Sequence, residues 1–291
     1  MIGYGAWEAG GTSWGPNDSD SVVVGAMRAG LDAGINWIDT AEVYGNGVSE
    51  HLVGKAIVGR REEVLVASKA APGPEGSGFR PEQIHGACDA SLSRMGIDVI
   101  DLYQLHWPDD HIPVEEAWGT MAELQDDGKV RWIGVSNFDR AQIERCMAVR
   151  HVDSLQQEFS MVTLSDRELI AWCGEAGIGV VSYSPLGAGL LTGSIGPDVT
   201  FGTDDWRASE GHELFGPEPL QQHLALVEAV RPIAGRLGIS LAQLALAWNI
   251  AQPGVTAAIA GSRNADHVRT NAQAGDIVLE ADTLRTIEAL L

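Results

Sequence analysis

Residues 35–45 of the chain are Ile35-Asn36-Trp37-Ile38-Asp39-Thr40-Ala41-Glu42-Val43-Tyr44-Gly45, and they follow directly on Gly34. An apolar run straight after a glycine is typical of a buried strand that begins where a helix has just ended. The run turns polar at Asp39, so this carboxylate is expected near the carboxyl end of the strand. Gly45 and Gly47 indicate a turn that could hold the Tyr44 phenol over a cavity. An acid and a phenol are therefore expected together, although such a pair taken alone is more often structural than catalytic.

The junction of a helical segment, a glycine and a β-rich run recurs at Gly96, Gly128 and Gly177. Along the whole chain, strands are predicted at residues 2–5, 35–39, 64–68, 99–105, 130–135, 154–157, 179–183 and 256–260. Helices are predicted between them at residues 21–33, 47–58, 81–95, 114–127, 139–149, 166–176, 219–237, 240–251 and 264–273. Eight strands that alternate with helices favour an α/β fold, a parallel (β/α)8 TIM barrel. A doubly wound sheet stays open as the alternative, because alternation alone does not show that the sheet closes.

The length and composition indicate one soluble domain. A chain of 291 residues fits a single barrel domain over residues 1–291 better than two average domains. No apolar run reaches the about 20 residues that a membrane helix needs, and residues 1–11 lack the features of a signal peptide, so a cytoplasmic location is expected. The three cysteines, Cys88, Cys146 and Cys173, predict buried free thiols. The eight histidines contain no HExxH motif, so no metal site is expected.

The charge balance is strongly acidic. The chain carries 19 Lys and Arg against 40 Asp and Glu, which gives a formal net charge of −21 at pH 7. Such a charge repels nucleic acid and anionic membranes at long range, so neither is expected as a partner. An anionic small molecule would need donors placed locally, such as helix N-termini and a few arginines. The oligomeric state is left open by the sequence.

Reactive side chains gather at consecutive strand ends, where a barrel of this kind has its active site. The predicted third strand runs into Lys69, and the fourth ends at His106. Each could be an ordinary residue when taken alone, but Asp39 and Tyr44 fall at the neighbouring strand end. A nearby ammonium would lower the pKa of Tyr44, while Asp39 would keep Lys69 charged. His106 could donate a hydrogen bond to a carbonyl oxygen as that oxygen gains negative charge.

This set could deliver a proton, but it includes no nucleophile paired with a base, so a cofactor must supply the remaining chemistry. The later strand ends carry groups that could hold one: Ser136 with Asn137, Gln157, Tyr183 with the glycine-rich residues 187–193, and Gly261-Ser262-Arg263 before a helix. Ordinary turn chemistry explains each of these loops better when it is taken singly. Together they line one rim with donors for an extended anionic ligand that bears an amide.

The motifs follow one another in a recognisable order. They are Asp39-Thr40-Ala41-x-x-Tyr44-Gly45, Lys69, Gln104-Leu105-His106-Trp107-Pro108, Gly134-Val135-Ser136-Asn137-Phe138, Gln156-Gln157, Tyr183-Ser184-Pro185-Leu186-Gly187, and Gly261-Ser262-Arg263 with Asn271. In this order they resemble the aldo-keto reductase family over nearly the whole chain, and most closely the branch of bacterial reductases and potassium-channel β subunits. No single motif is specific, but the ensemble is.

The resemblance implies an NADPH-dependent oxidoreductase that reduces an aldehyde or ketone to an alcohol by hydride transfer. The implied catalytic residues are Asp39, Tyr44, Lys69 and His106, with Tyr44 as the general acid. The implied substrate-binding residues are Trp7, Tyr44, His106 and Trp107, and the partner is a small-molecule carbonyl compound. The alternative is an NADPH-sensing regulatory or binding subunit with only slow reductase activity. A hydrolase or lyase that uses His106 and Asp109 is a weaker alternative, because it leaves Lys69 unexplained.

The resemblance also implies where NADPH or NADP+ binds. The carboxamide would be held by Ser136, Asn137 and Gln157, the nicotinamide would stack on Tyr183, and the 2′-phosphate would lie near Ser262 and Arg263. The full implied set is Trp7, Asp39, Ser136, Asn137, Gln157, Tyr183, Ser184, Pro185, Leu186, Gly187, Gly189, Leu190, Arg207, Gly261, Ser262, Arg263, His267 and Asn271. A bidentate arginine at the 2′-phosphate favours NADPH over NADH.

The chain departs from the family pattern in three places. The N-terminal hairpin that usually closes the barrel bottom is expected to be missing, because only Met1 and Ile2 precede Gly3. Ser194 stands where a pyrophosphate-binding lysine is common, and Arg207 in the long loop between residues 193 and 219 could compensate. His267 and Thr270 replace residues that often contact the adenine.

Overall fold

Eight parallel strands close into a barrel in chain order, with the first strand paired to both the second and the eighth. The computed structural model describes residues 1–11, 13–15, 18–74, 76–209 and 212–291. The strands are β1 Ile2–Gly5, β2 Trp37–Asp39, β3 Leu65–Ala70, β4 Ile100–Leu105, β5 Val130–Ser136, β6 Ser154–Glu158, β7 Gly179–Tyr183 and β8 Val255–Ile259. The predicted (β/α)8 barrel is confirmed, and the doubly wound alternative is wrong.

The helices surround this barrel. They are α1 Asp20–Asp32, α2 Val48–Ala56, α3 Pro81–Met95, α4 Val114–Asp126, α5 Arg140–Met147, α6 Arg167–Glu175, α7 Pro217–Leu237, α8 Leu241–Ile250, α9 Ala265–Gln273 and α10 Ala281–Glu288. The last helix was not predicted. It buries only Ile287 completely, although Ala281, Leu284 and Ile287 recur at helical spacing.

Glycines end several helices, as the sequence indicated. Gly96 follows α3 in the left-handed conformation, with φ 66°, and its N–H donates to the Leu92 carbonyl. A glycine adopts this conformation without the steric penalty of a Cβ atom. The chain can therefore reverse within a few residues and enter β4 at Ile100.

The interior of the barrel is filled below the strand ends by an apolar cluster of Trp37, Ala67, Val181, Ala257 and Ile259. The Trp37 indole lies against Gly3 of β1. A Cβ atom built at Gly3 would lie 2.1 Å from the indole, so only glycine fits there. Asp39 is two residues further along β2 and points to the same side, because side chains alternate along a strand. The indole therefore forms an apolar layer beneath the polar residues at the strand ends.

The three cysteines are buried and unpaired, as predicted. Burial raises the pKa of each thiol to about 12, so all three stay protonated near neutrality. Protonated, buried thiols are chemically inert. Across the described ranges, no helix has the length and apolar character needed to cross a membrane.

Candidate active site

A buried ion pair joins the ends of β2 and β3. Lys69 Nζ lies 2.6 Å from Asp39 Oδ1 and donates a second hydrogen bond, of 2.9 Å, to the Thr40 carbonyl. The side chains of Lys69 and Asp39 are 0% and 1% exposed. Lys69 belongs to β3 itself, one strand position beyond the predicted end at residue 68, and this explains its depth. Burial lowers the pKa of Lys69, while the Asp39 carboxylate acts in the opposite direction.

Tyr44 lies in the turn that follows β2, and its hydroxyl is 3.4 Å from Lys69 Nζ. Burial, and then the Asp39 carboxylate, raise the pKa of Tyr44 well above its usual value of 10. The expected lowering by Lys69 is not the net result, because removal from water and the neighbouring Asp39 carboxylate both disfavour a phenolate. Tyr44 therefore carries its proton near neutrality.

The position of Tyr44 is fixed by close contact between two loops. Gly45 has φ 61°, and a Cβ atom built on it would lie 2.0 Å from the Gly10 carbonyl oxygen. Conversely, a Cβ atom at Gly10 would lie 2.7 Å from the Gly45 nitrogen. The backbone of the loop after β1 thus packs directly against the backbone of the Tyr44 turn.

His106 follows β4 and completes the predicted group of four. Its ring centroid lies 5.6 Å from that of Tyr44 and 4.6 Å from that of Trp107. Burial, and then the Lys69 ammonium, lower the pKa of His106 well below 6.5, so the imidazole is neutral near pH 7. Its Nδ1 is buried and has no hydrogen-bond partner among the described residues.

Two glutamines extend this network into the barrel. Gln156 Nε2 donates to Asp39 Oδ2 at 2.9 Å and lies 3.4 Å from Gln104 Oε1. Both residues belong to the sequence motifs given above, but neither was predicted as a site residue. Gln156 therefore holds the carboxylate oxygen that Lys69 does not contact.

The strand-six amide at the barrel interior is Gln156 and not the predicted Gln157. Gln157 Nε2 donates to Asp166 Oδ2 at 3.0 Å, in the segment that leads to α6. Successive side chains of β6 point to opposite faces, so only one of two adjacent glutamines can reach Asp39. The structure therefore places Gln156, and not Gln157, beside Asp39.

Asn137 ties three strand ends together. Its Nδ2 donates to the His106 carbonyl at 3.0 Å and to Ser136 Oγ at 3.1 Å. Its Oδ1 accepts a hydrogen bond of 2.9 Å from the Tyr183 hydroxyl. The structure thus brings Ser136, Asn137 and Tyr183 together as predicted. It also gives Asn137 a bridging role that the sequence did not indicate.

The backbone of the loop after β7 adopts unusual conformations. Ser184, Gly187, Ala188 and Gly189 all have positive φ angles, between 51° and 98°. Successive backbone N–H groups in such conformations can form a concave anion site. Of the other predicted residues here, Pro185 and Leu190 are buried and Leu186 is half-buried against the core.

Arg207 contacts this loop at Ala188 and Gly189. Its guanidinium donates to the Ala188 carbonyl at 3.2 Å and lies 3.6 Å from the Cβ position at Gly189. Asp205 binds the same guanidinium through both carboxylate oxygens, at 2.9 and 2.6 Å. The residue predicted to compensate for Ser194 is close to the loop, but its charge is already balanced by Asp205.

The loop after β8 carries the last group of predicted residues. Gly261 lies against β1, since a Cβ atom there would be 2.1 Å from the Gly5 carbonyl oxygen. Asn264 caps α9, with its Oδ1 accepting from the N–H groups of residues 266 and 267. These helix amides are therefore satisfied, and an anion would depend mainly on the Arg263 side chain. His267 is exposed at the surface of α9, whereas Asn271 is buried.

Aromatic rings form a wall beside Tyr44. The Trp7 centroid lies 6.4 Å from that of Tyr44 and 5.2 Å from those of both Trp14 and Trp206. With Trp107 beside His106, the four predicted substrate residues follow one another as Trp7, Tyr44, His106 and Trp107. The arrangement places a proton donor between large apolar surfaces, which suits a small organic molecule.

Comparison with known proteins places this site in context. The model of the aldo/keto reductase family matches residues 1–291. Aldo-keto reductase YhdN of Bacillus subtilis (strain 168) is 35% identical over 298 residues, which cover 100% of this chain and 89% of that protein. The glycerol dehydrogenase AKR11B4 of Gluconobacter oxydans has a similar structure, with a TM-score of 0.90 and 30% identity over 100% of this chain and 90% of that one. An aldo-keto reductase of Klebsiella pneumoniae, solved in complex with NADPH, has a TM-score of 0.79 and 32% identity over 99% of this chain and 90% of that one.

Proposed function

The chain belongs to the aldo/keto reductase family, and from that premise we propose that it reduces an aldehyde or ketone with NADPH, with Tyr44 as the proton donor. The observation that carries the proposal is that Lys69 Nζ lies within hydrogen-bond distance of both Asp39 Oδ1 and the Tyr44 hydroxyl. We assign the whole of residues 1–291 to one catalytic barrel domain. The NADPH-bound structure of the Klebsiella relative supports the choice of cofactor.

The four side chains have separate tasks. When bound, NADPH supplies the hydride that the carbonyl carbon receives. The Tyr44 O–H bond breaks and its proton passes to the carbonyl oxygen, which would otherwise become an alkoxide. The resulting phenolate is stabilised by the Lys69 ammonium, which Asp39 holds in place. Neutral His106 can donate one N–H to the same carbonyl oxygen.

The raised pKa of Tyr44 is compatible with this role. A phenol that keeps its proton in the resting protein is available as an acid whenever the carbonyl oxygen gains charge. A bound cofactor that carries positive charge would favour the phenolate and so ease the reverse reaction. The same residue can then act as acid in reduction and as base in alcohol oxidation.

The rim of the barrel has the donor chemistry that NADPH requires. Ser136 and Tyr183 are both hydrogen-bonded to Asn137, which donates to the His106 carbonyl, and an amide-bearing ring would meet the reacting carbonyl near this group. The left-handed backbone within residues 184–189 would approach a pyrophosphate, and Arg263 would offer a guanidinium to a further phosphate. These residues would hold the cofactor along the carboxyl ends of strands β5, β7 and β8.

The test compares two tyrosines. Tyr44→Phe removes the proposed acid and should lower kcat for reduction by at least about 100-fold while leaving NADPH binding within about threefold. Tyr103→Phe is the matched control, because Tyr103 is a fully buried tyrosine of β4 that belongs to the main apolar core and, within the described part of the chain, makes no hydrogen bond to Lys69, Asp39 or His106. It should react like the wild type. The assay follows nicotinamide absorbance with a panel of aldehydes and ketones.

Two results would contradict the proposal. Equal turnover by Tyr44→Phe and wild type would remove Tyr44 from the reaction. Tight NADPH binding by the wild type with negligible reduction across the whole panel would instead support the regulatory or binding subunit.

A further inference from the structure

An acidic side chain lies beside the guanidinium of the proposed phosphate site. Glu8 begins the 3₁₀ turn Glu8–Gly10 after β1, and its Oε2 lies 3.8 Å from Arg263 Nε. Asp18 approaches the same nitrogen at 3.4 Å, and Arg263 Nη2 donates to the Trp14 carbonyl at 3.0 Å. The guanidinium that would meet a phosphate is thus already bound by the loop after β1.

Glu8 is the less exposed of the two carboxylates. Its side chain is 24% exposed, against 46% for Asp18, so water and salt screen its charge less. Burial raises the pKa of Glu8, while four groups favour its charged form: the Arg263 guanidinium, Arg207, the Arg263 backbone and His267. The Arg263 guanidinium, which is proposed to meet a phosphate, therefore already faces the Glu8 carboxylate.

We propose that Glu8 is a specificity-determining residue that limits the preference for NADPH over NADH by competing with the 2′-phosphate for Arg263. This inference rests on the proposed function, because it assumes that the adenosine end of the cofactor reaches Arg263. A 2′-phosphate brings negative charge next to Glu8. It must therefore share the Arg263 guanidinium with Glu8 or displace Glu8 from it. The 2′-hydroxyl of NADH carries no charge and can donate a hydrogen bond to the same carboxylate. Glu8 therefore weakens binding of one cofactor and favours the other.

The test is direct binding of both dinucleotides to wild type and Glu8→Gln, in the absence of substrate. Dissociation constants of NADPH and NADH are measured at one pH and one salt concentration by quenching of tryptophan fluorescence. The ratio of the NADH constant to the NADPH constant should rise about fivefold in Glu8→Gln, the value expected when one partly buried opposing charge is removed. Glu8→Ala, which removes the same charge without an amide, should shift the ratio in the same direction.

A remote substitution controls for net charge. Glu115→Gln also removes one negative charge, at an exposed pair with Arg145 on the outer helices, and should leave the ratio within about 1.5-fold. The inference is overturned if Glu8→Gln changes the ratio by less than about twofold, or if Glu115→Gln changes it equally. Wild-type protein that binds neither dinucleotide would overturn the proposed function together with this inference. If the wild type binds the dinucleotides but Glu8→Gln leaves the ratio of the two dissociation constants unchanged, this inference alone is overturned.

Discussion

The buried Lys69–Asp39 pair should show strong energetic coupling in a double-mutant cycle. Asp39→Asn keeps the shape of the side chain but leaves a lysine that is 0% exposed without its counter-charge. Lys69→Met leaves a carboxylate that is 1% exposed, with Gln156 Nε2 as its remaining side-chain donor. Removing one member of a buried pair typically costs about 3–5 kcal/mol of stability, because an uncompensated charge stays buried.

The structure indicates where in that range each variant falls. Burial already lowers the pKa of Lys69, and loss of Asp39 lowers it further, so Lys69 can release its proton and limit the cost. We expect about 3 kcal/mol for Asp39→Asn and about 4 kcal/mol for Lys69→Met. The double variant carries neither charge of this pair and should lie within about 2 kcal/mol of the wild type. The coupling free energy is then at least about 5 kcal/mol, the sum of the single effects less the effect of the double change.

Urea unfolding, followed by the fluorescence of the nine tryptophans, measures these differences. The control cycle uses Arg140 and Glu144, an exposed pair at 2.9 Å on α5, which should show no measurable coupling. Additive effects of Asp39→Asn and Lys69→Met, within about 1 kcal/mol, would refute the reasoning that charge burial dominates this pair.

Two further perturbations address His106 and the Tyr44 turn. The folded protein keeps His106 neutral while the unfolded chain binds its proton near pH 6.5, so this group's contribution to stability is lost as pH falls below about 6.5, by at most about 1.4 kcal/mol per pH unit. His106→Gln should flatten the urea-derived stability profile between pH 5 and pH 7, and an unchanged slope would show that His106 is not held neutral. Gly45→Ala places a Cβ atom 2.0 Å from the Gly10 carbonyl at φ 61°, so it should shift Tyr44, destabilise the protein by about 1–3 kcal/mol and reduce kcat more than tenfold. Wild-type activity in Gly45→Ala, measured by nicotinamide absorbance, would mean that the turn has room for a side chain.

The sequence predicted the barrel and the convergence of its reactive residues, because both follow from short-range patterns. Helix, glycine and apolar run recur in order, and Asp39 and His106 stand where apolar runs turn polar. The predicted end of the third strand, residue 68, was two residues short, since the charge of Lys69 hides the continuation of β3 to Ala70. Local pattern is sufficient where a residue's role depends on its distance from a strand end.

Other features depend on information that a single sequence does not carry. Either Gln156 or Gln157 could face inward, and a shift of one residue in strand phase exchanges them. The contact between Glu8 and Arg263 joins loops at opposite ends of the chain and has no local signal. The direction of the Tyr44 pKa depends on how deeply the turn is buried, which outweighs the presence of a nearby ammonium.

The backbone contact between Gly10 and Gly45 links coenzyme choice to catalysis. Glu8, the proposed determinant of coenzyme choice, lies two positions before Gly10, and Tyr44, the proposed proton donor, lies one position before Gly45. An insertion, a deletion or a proline in residues 6–11 would therefore disturb the reacting group as well as the nucleotide. Redesign of coenzyme choice in this protein should proceed through side chains of equal shape, whereas grafting a loop from a relative should sacrifice turnover.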